Sequence, residues 1–364
     1  MIVEAHGSGK PILLGVDGSD ASYKAAWWAA NYAAHSKLRL SIVVAYSLPS
    51  YAAVSFDATY TAMGDDNAAW ADCQSILQKA KGIALEQGLR EEDIQTLVVS
   101  GDPSSTLVEL SRDYDLIVIG NRGKGGLAER LLGTTSSYLP AYAYCPVVVV
   151  PYADDDGNPV HLDSSIHNVV VGSDESRWGA RAIDVAGDLA AGWSAKLTVV
   201  TAAPVQNRRG SKAEEEIKAA LESTAEDQNG RIQRLRDAYP DLEIESKTVP
   251  ETASKALLSM AGAADVIVVG SRGRAGLTGL LFGSKSQDLI QHSPKPVYVV
   301  PKKFVDATEW KSDDAADVST KTTGVGKAIV SRESEEVLAV KTEVPAASIE
   351  AVEEIEGKID PEHQ

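Results

Sequence analysis

The chain is short of positive charge. Its 35 Lys and Arg face 52 Asp and Glu, a formal net charge of −17 over 364 residues. A deficit of that size argues against nucleic acid as a partner, because phosphate backbones are gripped by clustered Lys and Arg. It argues equally against anionic membrane surfaces. No apolar run reaches the ~18 residues that a transmembrane helix requires, and Met1 to Lys10 has no apolar segment of the secretory kind. There are two cysteines, Cys73 and Cys145, without metal-ligand spacing. They fit a reducing compartment, so a cytoplasmic location is expected. The six histidines (His6, His35, His161, His167, His292, His363) show no metal spacing and no triad pattern.

Several nucleotide signatures are absent as well. Gly9-Lys10 runs into Pro11 and has Glu4 where a phosphate-binding P-loop needs its first glycine. No G-x-G-x-x-G follows the first strand signal. No convergent acid/base pair is visible, so no catalytic residue and no protein metal site is assigned. A small anionic ligand remains compatible with the net charge, since backbone N–H groups can hold it.

What the chain does have is a duplicated glycine loop. The first copy runs from Gly120-Asn121-Arg122-Gly123-Lys124 to Leu132-Gly133-Thr134-Thr135-Ser136, directly behind Leu116-Ile117-Val118-Ile119. The second runs from Gly270-Ser271-Arg272-Gly273-Arg274 to Phe282-Gly283-Ser284-Lys285-Ser286, behind Val266-Ile267-Val268-Val269. In both copies two residues separate the first pair of glycines, nine separate the second from the third, and a hydroxyl residue follows. Equal spacing in matching contexts marks a duplicated functional loop rather than two incidental turns.

The surrounding pattern repeats too. Ile12 to Asp17 reads as a strand buried on both faces. A helix over 21–35, a strand over 38–46 and a long loop over 47–64 follow, then a helix over 66–87 and a strand over 94–99. Asp102-Pro103 opens the next helix. The strand 116–119 delivers the glycine loop, a helix spans 134–144, and Pro146 to Pro151 closes the unit. After a polar connector, strands at 168–172, 196–201, 242–249, 266–269 and 296–301 alternate with helices at 175–191, 211–239, 252–262 and 284–292. Such alternation implies an α/β fold with mainly parallel sheets and helices on both faces. The expected organisation is a lead over 1–9, one domain over 10–152, a linker over 153–165, a second domain over 166–302 and a tail over 303–364. Residues 306–364 carry 15 acidic and 6 basic side chains, a net −9, and disorder is the default reading there.

The loops end where a parallel sheet binds ligands, beyond the strands' carboxyl ends. Their glycines let backbone approach a ligand without a Cβ clash. Gly133 and Gly283 each begin a helix whose first N–H groups and dipole suit phosphate oxygens. The hydroxyls of Thr134, Thr135, Ser136, Ser284 and Ser286, with Lys285, add donors and charge. Asp17 and Asp174 end the first strand of each repeat. Either accepts from a ligand amino or hydroxyl group, or else from its own turn. Arg122, Arg272, Lys124 and Arg274 match across the copies, as phosphate contacts or as solvated side chains.

G-x2-G-x9-G-[ST], set between a strand and a helix that leads to a Pro-Val-Val-Val strand, resembles the nucleotide loop of the universal stress proteins. Leu14-Gly15-Val16-Asp17-Gly18-Ser19 is similar to that family's first strand and turn. The resemblance covers 10–302 as tandem domains. It implies two open five-stranded sheets of order 3-2-1-4-5, each with ATP at the switch point. It places Asp17 and Asp174 by the adenine, with backbone near Ala45 and Ala202 completing that pocket. Gly120 and Gly270 fall by the ribose. Gly123, Gly133, Thr134 and Ser136, with Gly273, Gly283, Ser284 and Ser286, fall on the phosphates, where Mg2+ is an optional companion.

Three positions depart from the family pattern. Thr134 stands where Ser is commoner. Thr135 and Lys285 replace a small apolar residue. Glu175 stands opposite Gly18 and brings a carboxylate near the second site. The implied function is an ATP-binding regulator of the stress response with little or no hydrolysis. A weak ATPase or adenylyl transferase, and a scaffold that recruits a protein partner through the acidic tail, are the alternatives. The two repeats can pair with each other, and the whole chain can still form a homodimer.

Overall fold

A computed structural model describes residues 9–46, 59–123, 132–174, 176–202, 222, 229–272, 283–313 and 339–340. The first half contains β1 (Ile12–Gly15), α1 (Asp20–Ser36), β2 (Leu40–Tyr46), α2 (Thr59–Glu86), β3 (Ile94–Ser100), α3 (Pro103–Leu110), β4 (Leu116–Gly120), α4 (Thr134–Tyr142) and β5 (Val147–Val150). The second half contains β6 (Asn168–Ser173), α5 (Arg177–Trp193), β7 (Lys196–Ala202), α6 (helical residues 229–238), β8 (Ile244–Val249), α7 (Ala253–Met260), β9 (Val266–Gly270), α8 (Ser284–His292) and β10 (Val297–Val300). Then come α9 (Lys302–Asp313) and the short β11 (Ala339–Val340).

Each half has the expected strand order. Together they form one sheet, β11-β3-β2-β1-β4-β5-β10-β9-β6-β7-β8. The two expected sheets are thus joined edge to edge, a pairing of the repeats that the sequence left open. The two closing strands pair antiparallel, Val149 opposite Val297 and Val147 opposite Val299, while every other pairing is parallel. The physical reason lies in β5 and β10 themselves. Both are fully buried apolar tetrapeptides, and as free edges they would leave backbone groups unpaired. Side chains alternate into two layers. Ile12, Leu14, Val148 and Tyr298 face α1, α2, α5 and α6, whereas Leu13, Ile117, Val149 and Val299 face α3, α4, α7 and α8. Both layers run unbroken across the seam. Where α1 meets α5, His35 stacks on Trp193 at 3.6 Å and its Nε2 lies 3.1 Å from the Gly192 carbonyl.

Because β5 and β10 are antiparallel, the carboxyl ends of the two halves point in opposite directions. What leaves the top of one half therefore lies along the bottom of the other. The connector after β5 folds into a tight turn in which Asp154 accepts from Asp156 and Asn158 N–H. Its start is held by the Lys24 ammonium, which donates to the Tyr152 and Val160 carbonyls.

Three of the boundaries that differ from the sequence reading have a structural consequence. The helix α2 starts at Thr59, seven residues before the expected Asp66, because Gly64 only weakens a helix. The helix α5 starts at Arg177 because Ser176 caps it. The first residues assigned to the tail form α9, with Val305 fully buried. Residues 314–338 and 341–364 lie outside the described residues, as do 47–58 of the long loop, 203–210, and 211–221 and 223–228 of the long charged helix. Both cysteines are buried, and burial pushes the Cys145 thiol pKa up, which keeps it inert.

Candidate functional site

The site grows out of the turn after β1. Ser19 is the N-cap of α1, its hydroxyl accepting from Ser22 N–H at 3.2 Å. Asp17 Oδ1 in turn accepts from Ser19 N–H at 3.0 Å and Ser19 Oγ at 2.6 Å. The turn needs Gly18, whose φ is +83°. One carboxylate oxygen of Asp17 thus does what a turn aspartate does. The other faces Gly123, where a Cβ would collide with Oδ2. The second half repeats the device: Asp174 Oδ1 accepts from Ser176 N–H and Oγ, and Ser176 caps α5 through Gly179 N–H at 3.0 Å.

Beyond the carboxyl ends of β1 and β4 lies a cavity of about 650 Å³. Val16, Val43, Leu107 and Ile119 give it apolar walls. Asp17, Ala45, Gly120, Gly123, Gly133, Thr134, Thr135 and Ser136 also line it, so the sequence-selected residues of the first copy converge, apart from Lys124. Lys124 lies outside the described residues. Gly120 must be glycine for packing, since a Cβ there would lie 2.7 Å from the Ala21 carbonyl carbon. Gly133 is the N-cap of α4 and offers no side-chain cap, so the first N–H groups of that helix face the cavity end.

The hydroxyls are less available than the sequence suggests. Ser136 is buried and its Oγ lies 2.9 Å from the Asn121 carbonyl and 3.0 Å from that of Gly133, serving the loop rather than the cavity. Thr135 Oγ1 pairs with Ser104 Oγ of α3 at 3.2 Å. Thr134 is exposed.

In the second half, Gly283 is likewise the N-cap of α8 without a side-chain cap. Ser286 Oγ donates to the Gly270 carbonyl at 2.8 Å, while Ser284 and Lys285 are exposed in the first turn. Ala202 ends β7 beside the Asp174 turn, and the Arg272 guanidinium lies 5.9 Å from the Trp178 ring. Gly273 and Arg274 lie outside the described residues, as does Glu175.

The sequence reading passed over Asn121 and Ser271. Each is buried just after the first glycine, and each ties its loop together. Asn121 N–H donates to the Val150 carbonyl at 2.9 Å, and its own carbonyl accepts from Gly133 N–H at 3.2 Å. Its Oδ1 accepts from Tyr152 N–H at 3.2 Å. Ser271 makes the same three bonds, to Val300, Gly283 and Lys302, each at 2.9 Å. A polar acceptor at the same position of both copies was the available signal.

A cavity at a switch point, bounded by glycines and a helix N-terminus, defines the class: a doubly wound α/β protein with a pocket where such folds hold small ligands. The chain belongs to the universal stress protein family, whose profile matches residues 9–151 and 165–301. It is 30% identical to universal stress protein Rv2005c of Mycobacterium tuberculosis over 293 residues, 79% of this chain and 96% of that one. A universal stress protein structure from Archaeoglobus fulgidus superposes with a TM-score of 0.56 at 20% identity, covering 80% of this chain and 96% of that one. Another universal stress protein, solved in complex with cAMP, is 32% identical over 39% of this chain and 96% of its own, with a TM-score of 0.30. Among the described residues no helix is long and apolar enough to cross a membrane, and no group of His, Cys, Asp and Glu is arranged to hold a metal ion.

Proposed function

We propose that this protein is an ATP-binding regulator of the stress response that holds nucleotide in both halves and hydrolyses it little or not at all. The observation that carries this reading is the cavity over β1 and β4. Its apolar walls suit a purine, and its far end is the uncapped start of α4. Its volume is in the range of small-ligand sites, about 300–1,000 Å³. In this reading Asp17 and the backbone at Ala45 meet the adenine, Gly120 lies by the ribose, and Gly123, Gly133 and the first turn of α4 hold phosphates. Asp174, Ala202, Gly270, Gly273, Gly283, Ser284, Lys285 and Ser286 do so in the second half.

The lining supports little or no turnover. Among the described residues its charged side chains are Asp17 and Arg122, and Oδ1 of Asp17 is already engaged by Ser19. Mg2+, if carried, comes with the phosphates. We place the protein in the cytoplasm, with its output passed to a protein partner.

Mass spectrometry of small molecules released from freshly purified protein tests the reading directly. Thermal melts with ATP, ADP, AMP, cAMP and GTP, with and without Mg2+, complete the test. Adenine nucleotide in the released fraction and a rise in Tm with ATP are expected. A protein that carries no nucleotide and whose Tm ignores every one of them refutes it.

A further inference from the structure

We propose that the two nucleotide sites are energetically coupled through two crossed links, with Asn121 and Ser271 as the positioning residues at which each link begins. The proposal rests on the nucleotide reading of both halves. Its starting observation is that each glycine loop is bonded to the segment that leaves its own closing strand. Tyr152 N–H donates to Asn121 Oδ1, and Lys302 N–H to Ser271 Oγ. Asn121 is 3% exposed and Ser271 0%, so water does not compete for either bond.

Each departing segment then touches the opposite half, at the far end of the helix whose first turn faces that half's ligand. Three residues after Tyr152, Asp155 Oδ1 lies 2.9 Å from Nδ1 of His292, the last residue of α8. One residue after Lys302, the Lys303 ammonium donates to Tyr144 Oη at 3.2 Å and lies 5.8 Å from the Tyr142 ring, where α4 ends. The helix α8 begins at Ser284 and α4 at Thr134, the phosphate ends of the two sites. The first site therefore reaches the second through Tyr152, Asp155 and α8. The second reaches the first through Lys302, Lys303 and α4.

The duplication and the antiparallel seam make the links mutual. A ligand that tightens either glycine loop fixes Asn121 or Ser271, and with it the contact at the base of the other helix. Such coupling is reciprocal by thermodynamic necessity. Its links outside the loops are partly exposed, His292 at 34% and Asp155 at 62%, which puts the expected effect at the low end of the usual range, about fivefold in affinity.

The test is an ATP titration of the full chain followed by hydrogen exchange. Peptides over 116–123 and 134–142 report the first site, and those over 266–272 and 284–292 the second. The second-site midpoint is compared with the first site intact and with it blocked by Gly123→Ala. The comparison is repeated after both links are cut by His292→Ala with Lys303→Ala. Blocking the first site is expected to shift the second midpoint about fivefold in the uncut chain and to leave it unmoved in the cut chain. Equal midpoints in the uncut chain, or a shift that survives the cut, overturn the proposal. Absence of ATP protection at both loops of the unaltered chain removes the nucleotide reading itself, and the proposal with it. If the cut chain melts early, Asn121→Ser and Asn121→Ala decide. Serine retains an acceptor for Tyr152 N–H, as Ser271 does for Lys302, and should keep the coupling; alanine should lose it. Coupling that persists in the alanine variant overturns the proposal as well.

Discussion

Asp17 and Gly123 share a contact that admits no side chain between them: a Cβ at Gly123 would collide with Asp17 Oδ2. The carboxylate cannot swing away freely, because Ser19 holds Oδ1 through its N–H and its hydroxyl. Gly123→Ala therefore displaces Asp17 from the cavity while leaving the core untouched. Loss of one hydrogen bond to a charged group, about 1.5–3 kcal/mol, predicts a tenfold or greater fall in first-site ATP affinity. Asp17→Ala should match it. Calorimetric titration of both variants checks this; Asp17→Ala, which also takes the acceptor from the Ser19 N–H and hydroxyl, should in addition melt earlier than Gly123→Ala.

Gly120→Ala should behave differently. Its Cβ would meet backbone, 2.7 Å from the Ala21 carbonyl carbon and 2.8 Å from its oxygen, and backbone at the start of α1 cannot give way cheaply. A stability loss of about 1–3 kcal/mol is expected, as for other overpacked sites. Urea unfolding measures it. A Gly120→Ala chain as stable as the parent would contradict this packing.

Ser19 and Ser176 each cap a helix and hold an aspartate. Ser19→Ala and Ser176→Ala are each expected to cost about 1 kcal/mol. The double variant should lose close to the sum, because the sites are in different halves. Denaturant midpoints of the three chains decide it.

Asp102 caps α3 by accepting from Ser105 N–H at 2.9 Å, and that bond, aided by the Ser105 hydroxyl, holds its carboxyl below the ordinary carboxylate pKa. A folded-state pKa below the unfolded one stabilises above the unfolded value and is lost as pH falls through the folded one. Asn also caps well but does not titrate. Asp102→Asn should thus lower stability slightly at neutral pH, with the difference closing as pH falls below about 4. Acid-unfolding curves of the two chains should converge; curves that run parallel would contradict the assignment.

The seam should be unforgiving. Val148 is 0% exposed and pairs with Tyr298, also 0% exposed. Val148→Asp buries a charge without a partner and is expected to cost on the order of 3 kcal/mol or more. A fragment over 9–160 leaves Val147–Val150 as an open edge and should self-associate. Light scattering on a sizing column reads the fragment, and a stable monomer would count against the seam.

Much of this was legible in the chain itself. Duplication, strand spans and glycine spacing are local patterns, and so is the Asp102 cap. Each is written in neighbouring residues, because helix and strand periods and cap bonds act over a few positions. The order of strands in each half came instead from the resemblance to the universal stress proteins, because alternation and right-handed crossovers permit more than one order.

Other features belong to the tertiary structure alone. The fusion of two sheets was hidden because β5 and β10 carry the same buried valine-rich pattern as any inner strand, and nothing in Val147–Val150 names Val297–Val300 as its neighbour. The role of Asn121 was hidden because Tyr152 comes beside it only once β4 and β5 pair. The turning of Ser136 into its own loop and the packing of α9 over α5, where Arg177 meets Asp306 at 2.6 Å, depend on groups far apart in sequence. The sequence by itself determined what each half is and where its loop lies. Only the packed sheet decided that the halves form one body, since edge pairing is set by which unpaired backbone finds a partner and not by any residue's local preference.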